Sequence, residues 1–80
     1  MTREEFTNYI QSIGFKEDVK GFTFIYKEYI LVFNGDGTYL IYSSYNNNIV
    51  LPKRKYNQLI NFNKIFIKEV RSIKLKKILG

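Results

Sequence analysis

The first apolar residues of the chain recur at spacings of three and four, which predicts an amphipathic helix over residues 2–13. Thr2 and Glu5 have the spacing of a capping box at the start of this helix. Gly14 directly follows the pattern and is expected to end the helix. The apolar positions are Phe6, Tyr9, Ile10 and Ile13.

A second helical pattern occupies the C-terminal part of the chain and predicts a long amphipathic helix over residues 52–79. Pro52 suits the first helical position, where its missing N–H has no intrahelical partner to lose. The apolar pattern shifts beyond Arg71, so we expect a kink near residue 72 or a short extra helix. A strand over residues 64–68 is the alternative for the run Ile65-Phe66-Ile67. The apolar positions are Leu59, Phe62, Phe66, Val70 and Ile73.

Between the helices, residues 22–45 are rich in β-branched and aromatic side chains and predict a three-stranded antiparallel meander. Lys27-Glu28 provides a short first turn. Asn34-Gly35-Asp36-Gly37 is the strongest turn signal of the chain, because Asn-Gly and Asp-Gly steps accept positive φ angles. The pattern predicts a single α+β domain over residues 1–80, with the layout αβββα.

Alternation along these strands predicts a sheet with two apolar faces. Three alternatives follow: helices cover both faces, a homodimer buries the second face, or that face binds a partner. The aromatic residues that we predict for an interface are Phe22, Phe24, Tyr26, Tyr29, Phe33 and Tyr42. The turns place Leu40 and Tyr42 on the face of Phe24 and Leu31. The predicted second face holds Thr23, Ile25, Ile30, Val32, Tyr39, Ile41 and Ser43.

Composition narrows the chemistry of this small chain. Its 80 residues include no Cys and no His, which removes thiolate sites, the usual general base and the commonest transition-metal ligand. Asp36 between two glycines indicates a turn, since one carboxylate is too few for a calcium loop. We therefore expect no enzyme activity, no metal and no cofactor. The chain has neither a membrane-spanning run nor a signal peptide, so we expect a cytoplasmic protein.

Charge divides the chain into two unequal halves. Residues 1–50 hold four bases and six acids, whereas residues 51–80 hold nine bases and Glu69 alone. Such asymmetry favours an anionic partner, although a solvated basic helix is the simpler alternative. Asn57 and Asn61 share the basic face and are placed to contact base edges. The residues predicted to bind nucleic acid or an acidic partner are Lys53, Arg54, Lys55, Lys64, Lys68 and Arg71.

Ile, Lys, Asn and Tyr fill 36 of the 80 positions and Ala is absent, which indicates an A/T-rich genome. In size and composition the chain resembles small anti-defence and anti-CRISPR-like accessory proteins of phages and mobile elements from A/T-rich bacteria. The likeness implies a non-enzymatic protein that binds and blocks a host protein or nucleoprotein complex in the host cytoplasm. The alternative is direct DNA or RNA binding through the basic C-terminal helix.

Overall fold

The computed structural model describes the backbone of residues 1–79 and the side chains of residues 1–75. The chain forms an α+β fold with one antiparallel sheet of five strands, in the spatial order β1-β2-β3-β4-β5. The elements are α1 Arg3–Ile13, β1 Lys16–Val19, β2 Thr23–Tyr26, β3 Tyr29–Phe33, β4 Thr38–Ser43, β5 Ile49–Lys55, α2 Ile60–Ile65 and α3 Ile67–Leu79.

The N-terminal helix has the boundaries that its capping residues predict. The Thr2 hydroxyl accepts the Glu5 amide, and the Glu5 carboxylate accepts the Thr2 amide, so both halves of the capping box are present. Gly14 ends α1 with φ +133°, and its amide donates to the carbonyl oxygens of Ile10 and Gln11. This helix buries Phe6, Ile10 and Ile13 against the sheet.

The three predicted strands are present as β2, β3 and β4, but the αβββα layout omits two further strands. β1 consists of four exposed residues, three of them charged, so it has no apolar alternation from which a strand could be predicted. β5 covers the segment in which the final helix was expected to begin. Pro52 is accommodated because β5 is an edge strand, where a missing N–H breaks no ladder bond on the solvent side.

The predicted helix over residues 52–79 is therefore wrong in its start and in its internal break. Helical structure begins at Ile60, and Phe66 separates α2 from α3 with φ −106° and ψ 37°. The break thus lies at residue 66 and not near residue 72, and the alternative strand over residues 64–68 is also wrong. The predicted apolar stripe nevertheless faces the core, since Phe62, Phe66 and Val70 are buried.

Because of the turn after β3, each side chain of β4 lies on the face of the sheet opposite to the one that the sequence predicts. The Asn34 amide donates to the Thr38 carbonyl at 2.8 Å, so Gly35, Asp36 and Gly37 form a three-residue loop. Gly37 has φ +84°, as the last residue of such a loop requires. Phe33 consequently pairs with Tyr39, and a shift of one residue reverses every side chain that follows.

All three helices pack on one face of the sheet. Phe6 of α1 contacts Phe33 and Tyr39, while Phe66 contacts the Tyr29 ring at 5.0 Å between centroids. The buried core is thus a layer of aromatic and aliphatic side chains between the helices and this face. Its members are Phe6, Ile10, Ile13, Phe15, Phe24, Leu31, Phe33, Tyr39, Ile41, Leu51, Phe62, Phe66 and Val70.

Candidate binding surfaces

The sheet face opposite the helices is a broad apolar surface, and we call it the open face. Cross-strand pairs arrange it in two rows: Thr23 pairs with Val32, which pairs with Leu40, and Ile25 pairs with Ile30, which pairs with Tyr42. Val19 and Ile49 extend the two rows at the sheet edges. The residues of the open face are Val19, Thr23, Ile25, Ile30, Val32, Leu40, Tyr42 and Ile49, together with Lys16, which pairs with Ile25 at the β1 edge.

The side chains at both margins of the open face are well exposed. Val19 is 53% exposed, Ile25 37% and Ile49 57%. Five strands about 4.8 Å apart, each of about five residues, give a face on the order of 400 Å². An uncovered apolar patch of a few hundred Å² is typical of a binding surface.

The two edge strands are poorly suited to pairing with a further strand. β1 has four residues and a register shift between Glu17 and Val19. β5 contains Pro52 and the exposed bases Lys53 and Lys55. Short, bulged, charged and proline-containing edges oppose strand addition. Binding through the sheet would therefore use its open face and not its edges.

The predicted interface aromatics are divided between the two faces. Phe24 and Phe33 are buried, and Tyr26 and Tyr29 pack against the same core. The structure thus corrects the expectation that these four rings form an exposed surface, since the helices cover them. Tyr42 lies on the open face. Phe22 is 61% exposed and lies in the turn before β2.

Sequence reasoning identified part of the open face and missed the rest. Its members on β2 and β3 were predicted for the second face. Leu40 and Tyr42 were expected on the face of Phe24, and they lie opposite because the β3–β4 loop has three residues. Val19 and Ile49 were missed because neither edge strand was predicted. Tyr39 and Ile41, expected on the second face, belong to the core.

The predicted basic residues do not lie on one helix. Lys53, Arg54 and Lys55 belong to β5, Lys64 to α2, and Lys68 and Arg71 to α3. Asn57 precedes α2 and Asn61 lies within it. The six basic residues were expected to line up because residues 52–71 were interpreted as one continuous helix.

The bases of β5 have local partners on the sheet. Lys53 forms an ion pair with Asp36 in the β3–β4 loop. The Lys53 ammonium and the Thr38 hydroxyl lower the pKa of Asp36 to about 2. Arg54 pairs with Tyr39 across the two strands and is half-buried.

Glu69, the one acid among residues 51–80, is turned away from the outer surface of α3. Its carboxylate accepts a hydrogen bond of 3.0 Å from the Tyr26 hydroxyl and lies 3.6 Å from the Lys27 ammonium. Burial raises the pKa of Glu69, but the backbone hydrogen bond, Tyr26 and Lys27 outweigh burial and leave this pKa below its usual value. Glu69 is therefore held as a carboxylate.

The outer surface of α3 carries exposed bases. Lys68, Arg71 and Lys74 are exposed, whereas Val70 on α3 and Phe66 directly before it are buried. Lys64 is exposed on α2, one turn before Lys68. We call these four residues the basic ridge.

Comparison with known proteins does not extend this description: no protein-family model, curated protein or solved structure shows significant similarity to the chain. Within the described residues, no group of three or more acidic side chains is placed to hold a metal ion. Over the same residues, none of the helices combines the length and apolar character needed to cross a membrane.

Proposed function

We propose that this chain is a non-enzymatic binding protein that binds a protein partner through the open face of its sheet. The observation that supports the proposal is the placement of all three helices on the other side of the sheet. An antiparallel sheet with one solvated face normally alternates apolar with polar residues. Here the solvated face is apolar at seven of its nine positions, a pattern that solubility alone does not favour.

The chemistry of the open face favours a protein surface over nucleic-acid bases. Six of its nine side chains are aliphatic, and Tyr42 contributes the one aromatic ring. Single-stranded nucleic acids bind sheets mainly by stacking bases on several aromatic rings. Aliphatic side chains gain most from close packing against other apolar side chains, as in the centre of a protein interface.

The bases of β5 suggest the charge of the partner. Lys53 and Lys55 project from the edge strand beside the open face, and Asp36 neutralises Lys53 alone. A partner with an apolar centre and an acidic margin beside β5 would match this arrangement. Self-association of two copies is less favoured than binding to another protein. The bases of β5 would need acidic residues on the second copy, and the acids of β1 lie between Lys16 and Lys20, which offset their charge.

We propose further that the protein acts as an inhibitor of the partner that it binds. A small folded protein that covers an apolar site on a larger one blocks that site by occupancy, without chemistry of its own. The likeness in composition to phage accessory proteins supports a host protein or nucleoprotein complex as the target. It also supports action in the host cytoplasm. These two expectations rest on size and composition.

Site-specific photo-crosslinking tests the binding proposal. A photoreactive amino acid replaces either Ile49 on the open face or Ile60 on α2. Each variant is then produced in the cells in which the protein is naturally made. Both positions are exposed, so both tolerate the substitution. We expect a defined adduct with one other protein from position 49 and none from position 60.

The same adduct should disappear when Ile25→Glu is added to the variant labelled at position 49. An adduct between two copies of this chain would replace the proposed partner with self-association. The absence of any adduct from position 49, or equal adducts from both positions, would contradict the proposal.

A further inference from the structure

The basic ridge is a second surface, separate from the open face and made from a different element. Its four residues lie on the helical layer, and the carboxylate of Glu69 is directed at Tyr26 and Lys27. Among the described residues none of the four bases forms an ion pair, although Lys68 lines a shallow concavity together with Glu28 and Glu69.

We propose that the basic ridge binds the phosphate backbone of a nucleic acid. At 100° per residue, Lys68, Arg71 and Lys74 lie within an arc of about 120° on α3. They span about 9 Å along the helix axis, at 1.5 Å per residue. One strand of a duplex carries one phosphate per 3.4 Å of duplex axis, so a helix lying along that axis would span about two to three of them. Three long basic side chains on one side of the helix can therefore reach neighbouring phosphates.

Lys64 adds a fourth contact at the N-terminal end of this line. Phe66 interrupts the helix between Lys64 and Lys68, so Lys64 stands on a separate helix from the other three bases. Phosphate contacts of this kind are independent of sequence and give binding that depends steeply on salt.

An anionic membrane is a less suitable partner for the same helix. A helix that binds a membrane surface inserts its apolar side among the lipids. Val70 and Ile73 of α3 pack into the core, as does Phe66 directly before it, whereas Ile67 and Leu75 are exposed beside the bases. Insertion of the larger apolar side would therefore require α3 to leave the sheet.

Fluorescence titration with a labelled 20-nucleotide duplex and with the corresponding single strands tests the proposal at 50 and 200 mM salt. About four phosphate contacts predict binding roughly a hundredfold weaker at the higher salt. The variant Lys64→Gln/Lys68→Gln/Arg71→Gln should lower the slope of log affinity against log salt by about three.

A matched control removes the same charge elsewhere. The variant Lys16→Gln/Lys20→Gln/Lys55→Gln changes three exposed lysines outside the ridge and should alter the slope by less than about one. An equal decrease of the slope in the two variants would overturn the proposal, because it would show that binding depends on net charge and not on the basic ridge. No binding at 50 mM would overturn it outright.

Two further measurements distinguish the ridge from the open face and from a membrane. Ile25→Glu should leave the salt dependence of binding unchanged apart from a small effect of its added charge, because the ridge acts without the open face. Vesicles of phosphatidylserine and phosphatidylcholine serve as the membrane probe. Vesicle binding that requires the ridge, with no nucleic-acid binding, would overturn the proposal.

Discussion

The Tyr26 hydroxyl donates a hydrogen bond of 3.0 Å to the carboxylate of Glu69, 43 residues further along the chain. This contact joins the covered face of β2 to the first turn of α3. It also directs the carboxylate of Glu69 toward Lys27 and not toward the bases of the ridge. One hydrogen bond thus links the packing of the last helix to the charge of its outer surface.

Removing the Tyr26 hydroxyl should weaken this link without changing the core. We expect Tyr26→Phe to lower the free energy of unfolding by about 1–2 kcal/mol, because Glu69 is a charged acceptor with 19% of its side chain exposed. Urea denaturation at pH 7 measures this change. Tyr45→Phe is the control, since Tyr45 is exposed, and an equal loss in both variants would contradict the account.

The same pair should affect stability in acid. Glu69 has a lowered pKa in the folded protein, so its contribution is present above its usual value of 4.5 and is lost as the pH falls below it. Denaturation between pH 3 and 6 should show a shallower loss of stability for Tyr26→Phe than for the parent. Identical profiles would show that the hydroxyl does not stabilise the carboxylate.

Gly14 should be intolerant of any side chain. Its φ of +133° is a conformation that other residues rarely adopt, and a Cβ atom would lie 2.7 Å from Cε1 of Tyr26. We expect Gly14→Ala to lower the free energy of unfolding by about 2–4 kcal/mol, from backbone strain and overpacking together. Thermal and urea denaturation both measure this loss.

Two other glycines separate the causes of that loss. Gly37 has φ +84° but open space around it, so Gly37→Ala should cost only the backbone strain, about 1 kcal/mol. Gly35 has neither constraint, and Gly35→Ala should change stability by less than about 0.5 kcal/mol. Equal effects at all three positions would contradict the assigned loop geometry.

The register of β4 predicts opposite results at two neighbouring positions. Ile41 faces the helices and is fully buried, whereas Leu40 lies on the open face. Ile41→Ala should lower the free energy of unfolding by about 2–5 kcal/mol, and Leu40→Ala by about 1 kcal/mol or less. The reverse order would indicate the register in which Leu40 shares a face with Leu31.

Tyr39 should make the protein sensitive to alkali. Burial raises the pKa of Tyr39 to about 12, while Arg54 opposes this effect and Tyr9 adds to it. The unfolded chain loses this proton near pH 10, so stability should fall as the pH rises from about 10 to 12. Tyr39→Phe should make the alkaline loss shallower, as measured by denaturation at a series of pH values.

At neutral pH the same variant should be slightly less stable than the parent. The Tyr39 hydroxyl donates a 3.2 Å hydrogen bond to the Gln58 carbonyl, and its loss should cost about 1 kcal/mol. An unchanged alkaline profile in Tyr39→Phe would show that other groups control unfolding in that range.

Local signals in the sequence predicted the N-terminal helix, its caps and the three central strands. These features depend on short-range chemistry, such as the capping box of Thr2 and Glu5. The edge strands depend on tertiary pairing. Lys16–Val19 has little apolar character, and Pro52 within β5 resembled a helix start. Neither segment forms a strand without the sheet beside it.

The candidate surfaces were harder to predict because they depend on which face each strand presents. The length of the loop after Phe33 decides which residue of β4 is buried. A change of one residue in that length would bury Leu40 in place of Tyr39. The position of the helices was also open, since both faces of the predicted meander were apolar. The charge of the C-terminal half was evident in the sequence, but its division between β5 and α3 was not.

Methyl NMR with a soluble gadolinium chelate tests the central claim, that the open face is uncovered in the isolated protein. Ile25 and Ile49 should relax strongly in dilute solution, as should Ile60 on the exposed side of α2, and the half-buried Ile30 should relax to an intermediate degree. Ile10 and Ile41 should be protected because both are fully buried. If Ile25, Ile30 and Ile49 were as protected as Ile41, part of the chain or a second copy would already cover the face, and the account would be contradicted.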